Sequence, residues 1–138
     1  MSMNTPVKLI AIAAITGAAS TAVAFEPEGK VECLAPADPG GGWDFTCRSV
    51  GTVLEELDLV PRGVQTVNMA GAGGGVAYAH TVSKRAGDDQ LLVAASTATT
   101  TRLAQGQFPG MTADMVNWVG ALGADYGVIA VSADSEYQ

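Results

Sequence analysis

Two hydrophobic rhythms take turns along this chain. Val31 to Ala35 is a short apolar run of strand length, Asp44 to Leu57 carries apolar residues at helical spacing, and Val64 to Asn68 returns to a strand. The alternation continues with a helix over Val76 to Lys84 and a strand over Leu91 to Ala95. Short apolar strands separated by helices predict an α/β fold whose sheet is mostly parallel and covered by helices on both faces. Pro61-Arg62-Gly63 and the stretch from Arg85 to Asp89 turn the chain back between these elements. After Ala95 comes a hydroxyl-rich run, Ser96-Thr97-Ala98-Thr99-Thr100-Thr101, and then a loop over Gln105 to Thr112. Trp118 to Leu122 and Val128 to Val131 are expected to be two further strands. No helix follows the last of them, so the chain is expected to stop before its domain is complete.

Two of the strand-to-helix corners are built from glycine. The first strand runs through Gly40-Gly41-Gly42 into Trp43-Asp44, and the second through Gly71-Ala72-Gly73-Gly74-Gly75 into Val76. Amides in the first turn of a helix have no intrahelical partner, and the helix dipole adds partial positive charge there, so such corners bind anions without a lysine. Glycine removes the Cβ that would hold a ligand away from the backbone. In a parallel sheet both corners lie beyond the carboxyl ends of the strands, where ligands collect. The hydroxyl run ends the third strand and either caps the next helix or donates to a ligand.

Charge and cysteines narrow the class. A net charge of −7 without a basic run or stripe argues against nucleic acid. Lys8, the apolar stretch from Leu9 to Ala19 and Ala22-Val23-Ala24 have the form of an export signal cleaved after Ala24. The protein is then expected in the periplasm, starting at Phe25. An uncleaved anchor is the alternative, but the apolar run is short for a membrane span. Export makes Cys33 and Cys47 a disulfide candidate, the other reading being two buried thiols. Cys47 lies on the stripe Cys47, Val50, Leu54, Leu57, the face expected to turn toward the sheet that carries Cys33.

Pro36-Ala37-Asp38-Pro39-Gly40-Gly41-Gly42-Trp43-Asp44, then Asn68-Met69-Ala70-Gly71-Ala72-Gly73-Gly74, then the hydroxyl run, together resemble the extracytoplasmic solute-binding proteins of tripartite tricarboxylate transporters, the Bug family. The two cysteines around the first loop resemble the branch associated with citrate. This resemblance implies a type II periplasmic-binding-protein fold, two α/β domains closing on a carboxylate that is then passed to the membrane permease subunits of the transporter. It implies no cofactor, no metal and no catalysis. Carried over, Gly41, Gly42 and Asp44 would line one side of the site, Gly73 and Gly74 the next, and Ser96, Thr97 and Thr99 the third. Family members are about twice as long, so residues 25–101 would be the first segment of domain one and residues 102–138 the opening of domain two.

Several of these residues also have plainer readings. Asp44 serves either as a helix N-cap or as a cleft residue; Trp43 either floors the cleft or packs on the loop. Arg102 either pairs with a carboxylate or is solvated, and Arg48 and Arg62 are weaker versions of the same choice. His80, on the second helix, reads as a surface or packing residue. A sensory module that hands its ligand to a receptor would use the same cleft chemistry. An enzyme is the more distant rival. Neither glycine loop completes a dinucleotide fingerprint, since Val76 and Phe45 stand where the third glycine belongs. There is no G-x-x-x-x-G-K-[ST], no G-x-S-x-G elbow and no metal-ligand spacing.

Overall fold

A computed structural model describes residues 26–124 and 126–137; the expected leader, its cleavage site and Phe25 lie outside them. Among the described residues the chain runs β1 (Val31–Ala35), α1 (Gly42–Glu56), β2 (Val64–Asn68), a single 3-10 turn (Ala72–Gly74), α2 (Gly75–Lys84), β3 (Leu91–Val93) and α3 (Thr97–Ala104), with a last 3-10 turn at Ala113–Met115. The three strands form one parallel sheet in the order β2-β1-β3, so this is an α/β fold. β1 is central: Val31 pairs with Val64 on one side, and Glu32 with Leu91 on the other.

Burial on both faces explains why β1 is apolar almost throughout. Cys33 and Ala35 point toward α1, and with Cys47, Ala94 and the flanking Trp43, Val64 and Leu92 they form one core cluster. Leu34, also buried, points to the opposite face by strand alternation. That face also carries Glu32, whose carboxylate accepts a hydrogen bond at 2.9 Å from Arg85, just past the end of α2. A second cluster joins α2 to α3 through Tyr78, Leu103 and Phe108, the two rings lying 6.0 Å apart.

Three local expectations are corrected. The stripe Cys47, Val50, Leu54, Leu57 was expected to face the sheet; Cys47 is buried and Val50 and Leu54 half-buried, but Leu57, at the helix end, is 60% exposed. The inward face of α1 is Asp44, Cys47 and Gly51. At Gly51 the helix lies so close to β2 that an added Cβ would stand 3.1 Å from the Cβ of Val64, which turns the face toward the glycine. β3 ends at Val93, not Ala95; the Ala94 amide still donates to Leu34 at 3.0 Å, after which Ser96 begins to cap α3. Trp118 to Leu122 and Val128 to Val131 are not strands. A strand needs a neighbouring edge to hydrogen-bond; the outer edges of β2 and β3 are unpaired among the described residues, but neither segment lies along one, and Val119 and Ile129 stand 87% and 98% exposed.

Candidate ligand site at the strand ends

The order β2-β1-β3 puts the carboxyl end of β1 between those of its neighbours, at the point where successive crossovers leave in opposite directions. Open parallel sheets hold ligands there.

The first corner is shaped by a tight turn. Ala37-Asp38-Pro39-Gly40-Gly41 leaves β1, and the Gly41 amide donates to the Asp38 carbonyl at 3.0 Å. Proline second and a residue of positive φ third make this a type II turn, and Gly40 supplies the φ of +86°. Gly41 is the N-cap of α1, with Gly42, Trp43 and Asp44 in the first turn. Gly42 is exposed, and a Cβ there would meet nothing within 4 Å.

Asp44 is buried, at 3% exposure, and its carboxylate is fully engaged. It accepts from the Gly40 amide at 2.9 Å, from Asn68 Nδ2 at 2.9 Å, and from Arg48 through Nε and a terminal nitrogen, each at 2.9 Å. The Arg48 hydrogen bonds, then those from Gly40 and Asn68, hold the carboxyl far below the usual carboxylate range. Asn68, ending β2, also donates to the Ala37 carbonyl at 3.0 Å. Asp44 is therefore neither the N-cap nor open to an incoming anion: from the third helical position it latches the first corner to the end of β2. Neither Arg48 nor Asn68 stood among the expected site residues. The i,i+4 spacing of Asp44 and Arg48 was the signal for one; the contact across the strands, Asn68 to Ala37, had none.

The second corner winds the other way. Gly71, Ala72, Gly73 and Gly74 have φ of +135°, +48°, +60° and +98° in succession. Only a stretch rich in glycine takes four such steps without heavy strain. Gly73 is exposed and Gly74 buried. A Cβ on Gly74 would lie 3.5 Å from Trp43 Cη2, so the indole from the first corner rests on the second. A Cβ on Gly73 would lie 2.6 Å from Cζ and Nε of Arg102, so the α3 guanidinium lies directly on the loop.

The third corner is a capping box. The Ser96 hydroxyl accepts from the Ala98 amide at 3.3 Å, and the Thr99 hydroxyl accepts from the Ser96 amide at 3.4 Å. Ser96 and Thr97 are exposed and Thr99 buried. Two contacts link the corners, Trp43 to Gly74 and Gly73 to Arg102, the latter in the last turn of α3; Ser96, Thr97 and Thr99 stand at the start of that helix and are not joined to the glycine loops by either contact. The structure also bonds Cys33 to Cys47, whose Cα atoms are 5.6 Å apart, which ties the first turns of α1 to the central strand. Among the described residues no group of three or more histidine, cysteine, aspartate or glutamate side chains is placed to hold a metal. The arrangement offers backbone amides, hydroxyls and one guanidinium, groups that bind oxygen anions. Compared with protein-family models, curated proteins and solved structures, the chain matches none.

Proposed function

We propose that this protein captures a carboxylate, citrate or a related tri- or dicarboxylate, in the periplasm and delivers it to the membrane permease of a tripartite tricarboxylate transporter. The fold in this reading is of the type II periplasmic-binding-protein kind, and the work is capture without chemistry. First-turn amides of α1 and the Gly71 to Gly73 backbone face the carboxylate oxygens, and the hydroxyls of Ser96 and Thr97 complete the site.

Gly42 is the observation that carries the reading. Gly40 is needed for a turn, Gly73 and Gly74 for positive φ, and Gly41 because a Cβ would come within 2.9 Å of Ala37. At Gly42 an added Cβ would meet nothing within 4 Å among the described residues and φ is not positive, so neither packing nor backbone conformation calls for glycine there. A bare backbone at an open helix start is what close approach of a ligand needs.

The test is a fluorescence titration of the Trp118→Phe protein, so that Trp43 alone reports, with citrate against ATP as the control. A saturable change with citrate, absent with ATP and lost in Gly42→Val while the circular dichroism is kept, is the expected result. A response to ATP alone would replace the carboxylate by a nucleotide. Normal citrate binding by Gly42→Val would remove the first corner from the site.

A further inference from the structure

Resting on the carboxylate reading, we infer that Arg102 is the residue that reads ligand charge, pairing with a carboxylate of the bound molecule and setting a preference for ligands with several carboxylates over those with one. The cations of the chain are not equivalent. Arg48 is committed to Asp44 and Arg85 to both Glu32 and Asp88, all at hydrogen-bond distance, while Lys30, Arg62, Lys84 and Arg102 make no ion pair among the described residues; of these four, Arg102 is the one beside a glycine corner of the strand ends. Among the described residues Arg102 meets no carboxylate, and its single hydrogen bond, from a terminal nitrogen to the Ala98 carbonyl, is long at 3.4 Å. The guanidinium lies against the bare backbone of Gly73, in the space that any side chain there would fill.

Position makes this cation informative. Gly73 adjoins Gly74, and Gly74 touches Trp43, so the guanidinium sits at one end of the same run of contacts that begins at the α1 start. It also lines a shallow groove of about 350 Å³ with Thr97, Thr101, Gln105 and Gln107, a set with hydroxyl and amide donors and no acidic side chain. The protein carries a net charge of −7, so a local cation without a counterion is where an anion gains most. A guanidinium presents two parallel N-H groups that match a carboxylate in a fork. A ligand that commits one carboxylate to Arg102 has another left for backbone amides or hydroxyls only if it is a polycarboxylate.

The experiment titrates the full chain with citrate and with acetate, comparing wild type, Arg102→Gln, Arg102→Lys and the control Arg62→Gln, which removes the same charge from an exposed position away from the groove. Arg102→Gln is expected to weaken citrate roughly 10- to 100-fold and leave acetate nearly unchanged, with Arg102→Lys between and Arg62→Gln like wild type. In the unmutated protein, citrate should shift the Arg102 Nε-H resonance and not that of Arg48, a readout that does not depend on any variant folding. If wild type binds citrate and Arg102→Gln binds it equally, with the Arg102 resonance unmoved, this inference fails and the carboxylate reading stands. If wild type shows no response to citrate in either measurement, both fail together.

Discussion

Removing the Cys33–Cys47 bond should cost this protein a large part of its stability, and the size follows from its place in the chain. The two cysteines are 14 positions apart, closing a loop of about 15 residues. The chain-entropy argument gives roughly 3 kcal/mol for such a loop, by removing open conformations from the unfolded ensemble. Both residues lie in the core cluster between β1 and α1, at 4% and 0% exposure, so reduction also leaves two thiols to be housed where solvent does not reach. Against the 5 to 15 kcal/mol of an ordinary domain, a loss of about 3 kcal/mol is a fifth or more. The melting temperature should fall by something on the order of 10 to 20 °C. The assay is urea unfolding followed by circular dichroism, with and without reductant, alongside a thiol count in the denatured state. Equal midpoints for oxidised protein and for protein shown to carry two free thiols would refute the reasoning. Two free thiols in the untreated protein would refute its premise. Because Cys47 sits one turn beyond Trp43, the carboxylate-capture proposal adds that a citrate response of Trp43 should be lost on reduction at urea concentrations where the helices persist.

Three further outcomes follow from particular contacts. Asn68→Ala removes the hydrogen bonds to Ala37 and Asp44 that tie the first corner to β2, and should cost about 1 to 2 kcal/mol in urea unfolding while shifting the Trp43 emission. Gly73→Ala must hold alanine at a φ of +60° and displace the Arg102 guanidinium; a loss of about 1 to 2 kcal/mol is expected, with a moved Arg102 Nε-H resonance in the free protein. Tyr78 donates to the Thr112 carbonyl at 2.6 Å, and burial first, then Asp114, pushes its phenol above the usual value. The folded state therefore keeps this proton when the unfolded chain has lost it, so the stability it supplies is complete below the ordinary tyrosine range, about pH 10, and declines as pH rises through the folded value. Unfolding midpoints measured from pH 8 to 11 should show that decline in wild type and a smaller one in Tyr78→Phe.

What the residues announced and what they concealed divide along a physical line. β1, β2 and the helix between them were legible because each is buried by its own neighbours in sequence. The apolar run from Val31 to Ala35 and the periodicity beyond Asp44 are consequences of local packing, and so is the reach of Cys33 to Cys47. The glycine corners were legible as corners for the same reason, since positive φ at Gly40, Gly73 and Gly74 is a requirement of single residues. Partnership across the sheet was not. Asp44 has the position of a cap and of a cleft residue alike, and only the arrival of Asn68 from the next strand, 24 positions on, decides that its carboxylate is spent on the protein itself. Arg102 shows the converse: it has no acidic residue at helical spacing as Arg48 has Asp44, and its place beside the bare backbone of Gly73 is visible only in the fold. Trp118 to Leu122 and Val128 to Val131 mark the same boundary from the other side: they have strand composition, but composition does not bring a segment to the free edge of β2 or β3. Which corners meet thus depends on the β2-β1-β3 order, and the fate of each charged side chain on the contacts that the fold supplies: Asp44 is engaged by Asn68 and Arg48, whereas Arg102 lies against Gly73 and meets no carboxylate among the described residues.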